Sequence, residues 1–411
     1  MNFHKKTLDN GLTVIAELNP HVHSVAVGFY VRTGSRDESA EESGVSHFLE
    51  HMAFKGNDRY TADDINRKFD DIGAESNAST SEEITTFHTA VLPEYLPVAF
   101  ELLAALMMPA LREEDFDLEK NVILEEIAMY EDSPFWVAYE KALTEHFQGH
   151  PLERLILGTT ESISALTAAQ MQQYHAEHYK AGNIVLAVAG NTDWDQVLKL
   201  AETYSASWPE GALDRDIREA RPRPSRSIIP QERWFQQHVL SLAPAPSATS
   251  PFWPAPQVLS VIVGDNVSSR LYWELLDPGH AEAAMLWHHD FEGSGFYGTY
   301  LCSDPGSTEE NLARIHNVYQ DINQNGITET ELAQAKSKFA SRIVLSSERP
   351  VGRRESLAEN WIYRQEYRTV EDDLKAVDSL SVNDFRECLD AYPLGESTTV
   401  AVGPLTSLNG K

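Results

Sequence analysis

The sequence predicts an α+β protein that consists of two homologous halves. With 411 residues, the chain exceeds the length that one hydrophobic core usually supports, so two or more domains are expected. Segments with helical periodicity alternate with strand-like segments along the chain. One pair of helix and strand also recurs at a distance of about half the chain length. These three observations favour two α+β units over one large domain.

The recurring pair is a helix pattern followed by an apolar strand that ends in glycine. In the first half, a helix pattern at 166–179 precedes NIVLAVAG at 183–190. In the second half, a helix pattern at 380–392 precedes STTVAVG at 397–403. Both helix patterns begin with Leu-Thr or Leu-Ser, which supplies an N-cap. The nearly constant offset between the pairs predicts homologous domains.

A proline-rich and charged segment separates the two halves. Residues 205–226 contain several prolines and lack the periodicity of a helix or a strand. We therefore predict an N-terminal domain at 1–204, a linker at 205–226 and a C-terminal domain at 227–411.

The composition argues against several classes of function. Acidic residues outnumber basic ones by 63 to 33, which gives a formal charge of −30 and repels nucleic acids and anionic membranes. No apolar segment reaches the roughly 20 residues that span a bilayer, and the first residues lack a signal-peptide pattern. A globular, cytoplasmic protein that binds neither nucleic acid nor membrane is expected. Because Cys302 and Cys388 are the only cysteines, any metal must be held by histidines and carboxylates.

The first half begins with strand and turn signals and continues into a short helix. Asn10-Gly11 is typical of a tight turn, and SVAVGFYVRTG at 24–34 has the apolar character of a buried strand. A helix is predicted at 44–55, where Gly56 follows the last turn. Its apolar residues recur with the helical period, and they are Val45, Phe48, Leu49 and Met52.

The same helix carries a spacing that suits a metal ion. His47 and His51 are four residues apart and therefore neighbours on one face, away from the apolar stripe. Zn²⁺ binds imidazole readily, and two histidines on adjacent turns can share one ion. Glu50 lies beside them and could serve as a general base in peptide hydrolysis.

A catalytic zinc ion needs a third protein ligand, and a second helix pattern offers two candidates. Residues 115–134 show apolar residues on one side of a predicted helix; we assign Val122, Ile123, Ile127 and Tyr130 to this packed side. Glu119 and Glu126 are almost two turns apart and share a face. Either of them could reach the metal.

His47-Phe-Leu-Glu50-His51 has the inverted zincin pattern H-x-x-E-H and resembles that of the pitrilysin (M16) metallopeptidases. In this family the third ligand follows some 75 residues after the second histidine. Glu126 stands at that distance from His51, and the stretch NVILEEIAMYED is similar to the family's segment. The chain is closest in character to an M16B-like subunit, similar to the mitochondrial processing peptidase beta subunit and to bacterial two-subunit relatives.

The resemblance implies a fold, a cofactor and roles for particular residues. It implies two α/β-sandwich domains of the M16, LuxS/metallohydrolase-like type that form half of a clamshell around a chamber. It further implies one Zn²⁺ per chain, held by His47, His51 and Glu126, with Glu50 as catalytic base. Glu119 is assigned a supporting role in catalysis, because a carboxylate commonly orients a ligating imidazole.

The resemblance also covers a strand that would pair with extended peptide substrates. GAESNASTSEEITTFHTAVLPEYLP at 73–97 is similar to the family's substrate-pairing segment, with Asn77 and Ala78 at the contacting positions. Strand addition recognises any extended peptide through its main chain. In the second half, VGDNVSSRLYWELL at 263–276 resembles the start of a family helix.

The second half departs from the family pattern just after that helix. Active members usually carry an Arg and a Tyr there, which stabilise the oxyanion. In this chain no Arg occurs between Arg270 and Arg314, and the expected Tyr position falls near Ala283. We therefore expect a homologous subunit to supply the Arg/Tyr pair in a heterodimer, with a homodimer as second choice.

Three functions remain open at this stage. The leading expectation is a zinc-dependent endopeptidase that cleaves peptides or unfolded segments within a closed chamber. The alternatives are a non-catalytic M16-type subunit and a peptide-binding assembly protein or chaperone. Two other histidine clusters, His175 with His178 and His288-His289-Asp290, lack a carboxylate base at catalytic spacing and are expected to be structural.

Overall fold

A computed structural model describes residues 2–408 of the chain. The helices, in chain order, are α1 Val45–Ala53, α2 Ala62–Asp71, α3 Leu96–Leu106, α4 Glu113–Glu131, α5 Pro134–His146, α6 Thr160–Ala165, α7 Ala168–His178, α8 Trp194–Ser205, α9 Ala255–Gly264, α10 Thr308–Asn325, α11 Glu329–Ser347, α12 Pro350–Arg364, α13 Val370–Ser379 and α14 Val382–Ala391. The strands are β1 Asn2–Thr7, β2 Thr13–Leu18, β3 Val25–Val31, β4 Glu75–Thr80, β5 Thr85–Val91, β6 Ile184–Gly190, β7 Ser225–Pro230, β8 Gln237–Pro244, β9 Ala283–Phe291, β10 Ser294–Ser303 and β11 Thr398–Gly403.

The first compact unit is built on a six-stranded sheet. It comprises the chain up to Ala128 together with Arg154–Asp216 and Leu345–Arg368. Its strand order is β1-β2-β6-β3-β5-β4, with β2 and β6 parallel and the other pairs antiparallel. One sheet face packs on α1, α3, α7 and α8 in the main core. Helix α12 packs through Leu357, Ala358 and Trp361 on the opposite face, so both faces of the sheet are covered.

The second compact unit has a five-stranded sheet of the order β7-β11-β8-β10-β9. It comprises Met129–Glu153, Ile217–Val344 and the chain from Thr369 onwards. One face packs on α9, α10, α11 and α14. The other face packs on α5 through Ala138, Ala142 and Leu143. Helices α5 and α12 therefore each belong to the unit opposite to the one that their position in the sequence suggests, because their apolar faces pack on the sheet of that unit.

The two sheets repeat one topology, as the sequence repeat predicts. In each sheet, the strand that ends the repeat lies parallel to an earlier strand, β6 to β2 and β11 to β7. It also lies antiparallel to the next strand of the sheet, β6 to β3 and β11 to β8. That strand pairs with the second strand of a hairpin, β4–β5 or β9–β10, whose first strand forms the sheet edge. The predicted α+β class is therefore confirmed.

The predicted helices and strands occur at the expected positions in the chain, but one side chain, that of Val122, does not lie on the predicted side of its helix. The helix expected at 44–55 is α1, and its four apolar residues are all buried. In α4, Ile123 and Ile127 are buried as predicted. Val122 is 49% exposed, so its assignment to the packed side was wrong; one residue before Ile123 is a rotation of about 100° around a helix, which carries its side chain away from the core.

The segment predicted as a linker contains residues that are firmly held. The guanidinium of Arg215 donates to Asp37 at 2.8 Å, and Arg36 donates to the backbone carbonyl of Asp216. Arg215, Asp37 and Glu83 are all nearly fully buried. This ion-pair cluster ties residues 215–216 to the turn between β4 and β5 within the first unit.

No helix among residues 2–408 is long and apolar enough to cross a membrane.

A buried ion pair joins α12 to the first sheet and permits a stability test. Arg353 donates through Nε to Glu17 Oε1 at 2.8 Å, and both side chains are at most 5% exposed. Replacing one member of a buried pair leaves the other charge uncompensated, at a cost of about 3–5 kcal/mol. We expect Arg353→Met to lower the free energy of unfolding by about that amount in urea titrations. Adding Glu17→Gln should recover part of it, and Arg67→Met in an exposed pair with Asp63 should change little.

Candidate metal centre

A buried carboxyl group, that of Glu38, fixes the start of α1. Glu38 accepts hydrogen bonds from the backbone N–H groups of Gly44 and Ser46, both at 2.8 Å. These donors lack partners within the helix. Burial raises the pKa of Glu38 to about 8, and the hydrogen bonds from Ser46 and Gly44 oppose that rise. Gly44 itself has φ 92°, and a Cβ there would lie 2.6 Å from the carbonyl oxygen of Leu157. Only glycine therefore allows α1 to begin at this point.

The two histidines of α1 lie side by side at the surface of the first unit. Their ring centroids are 4.7 Å apart. The side chain of His47 is 11% exposed and that of His51 is 26% exposed. Burial and the neighbouring His51 lower the pKa of His47 to about 4, so its ring is neutral and able to ligate at neutral pH.

Helix α4 brings Glu126 to the same place. Glu126 Oε2 lies 3.8 Å from His47 Nε2 and 3.6 Å from His51 Nε2. One ligand atom from each of the three residues lies within 4.8 Å of the others, and no other such cluster occurs among the residues that the structure describes. Three donors from two helices thus converge on one point.

The distances from Glu126 Oε2 to the Nε2 atoms of His47 and His51 fit a shared zinc ion better than direct hydrogen bonds. N···O distances of 3.6 and 3.8 Å are too long for a hydrogen bond. Two ligands about 2.0–2.1 Å from a tetrahedral zinc ion lie about 3.4 Å apart, which is close to the observed spacing. Two imidazoles and one carboxylate are also a ligand set typical of catalytic zinc. The residues present therefore fit the ion that the sequence predicts.

Glu119 lies behind His51 and sets its tautomer. His51 Nδ1 donates to Glu119 Oε1 at 2.9 Å, because an ionised carboxylate can only accept. The lone pair of His51 Nε2 therefore faces Glu126. Lys55 makes an ion pair with the second oxygen of Glu119. Burial acts to raise the pKa of Glu119, but the hydrogen bonds from Lys55 and His51 outweigh it and hold this pKa below its usual value.

Glu50 lies on the same helix and is held by the end of β4. Thr80 Oγ1 donates to Glu50 Oε2 at 2.6 Å. Burial raises the pKa of Glu50, and the hydrogen bond from Thr80 opposes that effect. Thr80 thus orients one oxygen of the Glu50 side chain, and among the described residues no hydrogen bond to Oε1 occurs.

Asn77 and Ala78 lie on the edge strand of the first sheet. In β4 they pair with His88 and Phe87 of β5. The N–H of Ala78 donates to Asn77 Oδ1 at 3.0 Å, so it bonds to a side chain instead of a neighbouring strand. The free edge of β4 therefore carries a main-chain donor, the N–H of Ala78. A further strand could accept a hydrogen bond from it if the side chain of Asn77 adopted another rotamer.

The other histidine clusters are engaged in the fold. His175 Nε2 donates to the carbonyl of Met107 at 3.0 Å, and His178 Nδ1 donates to that of Tyr174 at 2.9 Å. His288 Nε2 donates to the carbonyl of Pro246 at 2.8 Å. Each ring uses a nitrogen for structure, in agreement with the structural role predicted for these clusters.

Three supporting residues of this centre escaped sequence reasoning. Thr80 donates a hydrogen bond to Glu50. Lys55 forms an ion pair with Glu119, and Glu38 accepts from the backbone at the start of α1. Thr80 and Glu38 are distant from their partners in sequence, and no spacing signalled them. Lys55 could have been found, because it stands four residues after His51 and so shares its helix face.

In the second half, Arg270 and Tyr297 do not replace the missing Arg and Tyr. Ala283 is the first residue of β9. Arg270 donates to Glu331 and Asp321, and Tyr297 is buried with its hydroxyl against Cys388. These groups are committed to packing within the second unit.

Comparisons with known proteins now decide the family. Residues 13–160 match the model of insulinase, peptidase family M16, and residues 165–339 match that of the peptidase M16 inactive domain. The chain belongs to peptidase family M16. The predicted family is thereby confirmed, and every member of the metal cluster falls within the first of the two matches.

Individual relatives extend the match over the whole chain. An uncharacterized zinc protease of Rickettsia felis is 30% identical over 405 residues, which covers 98% of both proteins. An uncharacterized zinc protease of Mycobacterium leprae is 33% identical over 388 residues, covering 92% of this chain and 86% of the relative. The crystal structure of a peptidase M16 inactive domain from Pseudomonas fluorescens matches with a TM-score of 0.93 at 19% identity and covers 100% of each chain. That likeness confirms the fold.

The contact between Glu119 and His51 gives a test based on metal content. We expect Glu119→Gln to weaken zinc affinity by roughly 10–100-fold, because the carboxylate that holds the ligating tautomer is lost. Competition with a chromophoric chelator would measure this affinity. Glu125→Gln, on the exposed face of the same helix, is the matched control and should bind zinc as the wild type does. Equal affinities in the two variants would contradict the role given to Glu119.

Proposed function

We propose that this chain is a zinc-dependent endopeptidase of the M16B type, acting as the catalytic subunit of a heterodimer. The observation that carries the proposal is the convergence of His47, His51 and Glu126 with Glu50 beside them. The relatives that are named zinc proteases support it. The substrates would be peptides or unfolded segments that enter a closed chamber.

His47, His51 and Glu126 would hold one zinc ion. When bound, the ion supplies Lewis-acid polarisation of the scissile carbonyl and lowers the pKa of a water molecule. Glu119 and Lys55 keep His51 in the tautomer whose Nε2 lone pair can ligate. His47 is neutral because its burial disfavours the charged ring.

Glu50 would act as general base and then as general acid. Its carboxylate accepts a proton from the attacking water as the oxygen adds to the carbonyl carbon. The same proton then passes to the amide nitrogen as the C–N bond breaks, which yields a carboxylic acid and an amine, and the acid then loses its proton to the amine or to solvent. Thr80 holds Oε2 at 2.6 Å and thereby leaves Oε1 to receive the proton. The raised pKa of Glu50, which results from burial, suits a group that must both take and return a proton.

The edge of β4 would bind the substrate in an extended conformation. An incoming strand can accept a hydrogen bond from the N–H of Ala78 once Asn77 Oδ1 releases it. Main-chain pairing explains why the substrate needs to be extended and why its sequence matters less than its conformation. A folded domain could not offer such a strand.

The oxyanion requires donors that this chain does not offer near Ala283. Its stabilisation by preorganised donors is usually a large part of the catalytic effect in acyl transfer. We therefore assign those donors to a homologous subunit, with a second copy of this chain as the alternative. A non-catalytic assembly role is the remaining alternative, which the intact ligand set disfavours.

Substitution of the base tests the catalytic assignment. We expect Glu50→Gln to retain zinc and to lower kcat on a fluorogenic peptide library by at least about a hundredfold, since general acid–base catalysis contributes 10²–10⁴-fold. Metal analysis and peptide cleavage would be measured on the same preparation. Glu125→Gln again serves as control and should keep its activity. A Glu50→Gln variant as active as the wild type would overturn the proposal.

Addition of a partner tests the division of roles. We expect the purified chain alone to cleave peptides weakly and a homologous subunit with the Arg/Tyr pair to raise kcat/KM by about a hundredfold or more. Glu50→Gln should stay inactive in the same mixture, which shows that the partner is not the source of the activity. Full activity of this chain as a homodimer would contradict the heterodimer.

A further inference from the structure

The second unit contains a cavity between its sheet and α10. The cavity has a volume of about 240 Å³ and mostly apolar walls, with Leu286, Leu301 and Leu312 among the lining side chains. His316 on α10 and Gly395 before β11 are exposed residues of the lining and mark its opening to solvent. An apolar cavity of about 150 Å³ is sufficient to bind benzene, so this one has room for a substituted benzene.

Three neighbouring strands place a row of hydroxyl groups at the floor of this cavity. Thr399 of β11 pairs with Ser241 of β8, and Ser241 pairs with Thr299 of β10. All three residues line the cavity. Residues two positions along the strands on the same face, such as Val239 and Ala401, belong to the hydrophobic core. The hydroxyl row is therefore a polar strip on a largely apolar sheet face.

The fold does not require hydroxyl groups at this row. The sequence repeat equates Thr399 with Leu186 of β6. In the first unit, Leu186 pairs with Phe29 of β3, and Phe29 pairs with Phe87 of β5. These three residues are at most 1% exposed. The same topology is thus built in the first unit on an entirely apolar row.

The two units also differ in what covers this row. In the first unit, α8 follows β6 and packs against α3 and β2. The ring of Phe29 contacts those of Phe100 and Trp208, at centroid distances of 5.5 and 5.2 Å. In the second unit, residues 404–408 follow β11 and form no helix. The cavity lies at the position that corresponds to α8, beside α10 and β11, which are the counterparts of α3 and β6.

The hydroxyl groups around the floor have hydrogen-bonding capacity left over. Thr399 bonds to Ser241 at 2.9 Å and to Ser397 at 3.1 Å. Thr299 bonds to Tyr319 at 2.6 Å, and Ser397 and Tyr319 also line the cavity. Among the described residues, these three bonds use three of the five O–H protons. Since each hydroxyl is a donor as well as an acceptor, two protons remain for acceptor atoms within the cavity.

The charged residues of the lining do not favour a charged ligand. Arg226 and Glu309 line the cavity, and each of them already has an interaction partner. An ionised ligand would therefore lose its hydration without gaining an unpaired counter-charge, which is unfavourable. The groups with capacity to spare at the floor are uncharged hydroxyls.

We propose that this cavity binds a small uncharged molecule that has an apolar body and one hydroxyl group. The apolar walls bury the body, as in most small-molecule sites. The ligand hydroxyl accepts a hydrogen bond from a spare O–H group of the row and donates its own proton to a neighbouring row oxygen, so both of its bonding functions are met. The site is independent of the proposed peptidase function, because none of His47, His51 and Glu126 lines it.

Titration calorimetry on the full chain with phenethyl alcohol and ethylbenzene tests this inference, because the two probes differ only in the hydroxyl group. In a purely apolar cavity ethylbenzene binds more tightly, since the alcohol loses its hydrogen bonds to water. We expect saturable binding of both probes, with the alcohol bound at least as tightly as ethylbenzene. Phenylacetate, which has the same ring and a negative charge, should bind at least tenfold more weakly than the alcohol.

Removal of the hydroxyl row separates the polar contribution from the apolar one. The triple variant Ser241→Ala, Thr299→Val, Thr399→Val should still bind ethylbenzene, which shows that it is folded and that its cavity is intact. Its affinity for the alcohol relative to ethylbenzene should fall by about tenfold, because a buried ligand hydroxyl then lacks partners at the floor. Thr398→Val, on the opposite face of β11, is the matched control and should leave both affinities unchanged.

A filled cavity gives a second test that does not depend on the triple variant. Ser241→Phe places a ring where the first unit has Phe29, and it should abolish binding of both probes, with thermal unfolding used to verify that the variant folds. The inference would be overturned by a wild type that binds neither probe or prefers ethylbenzene, or by equal affinities for phenylacetate and the alcohol. Undiminished binding in Ser241→Phe, or an unchanged preference in the folded triple variant, would overturn it as well.

Discussion

The geometry of the candidate metal centre depends on the carboxyl group of Glu38, which holds the first N–H groups of α1. The hydrogen bonds to Gly44 and Ser46 fix where the helix begins and therefore its rotation. A helix turned by one residue would move each side chain by about 100°, and His47 and His51 would no longer face Glu126. Catalytic groups need to be held within a fraction of an ångström by their supporting contacts. Glu38 thus determines the positions of the candidate metal ligands on α1, although it does not contact them.

Much of the fold and the shared face of His47 and His51 could be predicted from periodicity and spacing. Spacing left Glu119 and Glu126 as equal candidates for the third ligand, and only the resemblance to the M16 family favoured Glu126. The repeat predicted two similar units, and the four-residue spacing predicted a shared face for His47 and His51. Contacts between distant residues carry no such signal, as with Thr80 and Glu50. The sequence also did not show that α5 packs on the second sheet and α12 on the first. The apolar face of an amphipathic helix predicts that the helix packs on something, but it does not say on which sheet. Val122 was misjudged because apolar character alone does not give the direction of a side chain.

The two units show how far one topology can diverge in chemistry. The first unit carries the metal cluster at α1 and keeps an apolar row beneath α8, with Phe29 buried. The second unit has no such cluster among its described residues, yet it places hydroxyl groups on the equivalent row. A sheet tolerates such exchange when the side chains remain paired, because the backbone hydrogen bonds that define the strands are unaffected. The chemistry of the side chains therefore differs between the two units, although their topology is the same.

The bond from Ala78 to the side chain of Asn77 has a consequence for the free molecule. An uncovered sheet edge invites pairing with the edge of another copy, and such pairing leads to aggregation. Asn77 Oδ1 accepts a hydrogen bond from the N–H of Ala78 at 3.0 Å, and β4, to which both residues belong, is only six residues long. A short strand with an occupied donor is a poor template for self-association, while the extended peptide proposed as substrate could still compete for that donor. The side chain of Asn77 would thus favour a peptide substrate over a second copy of this chain as the strand that pairs with β4.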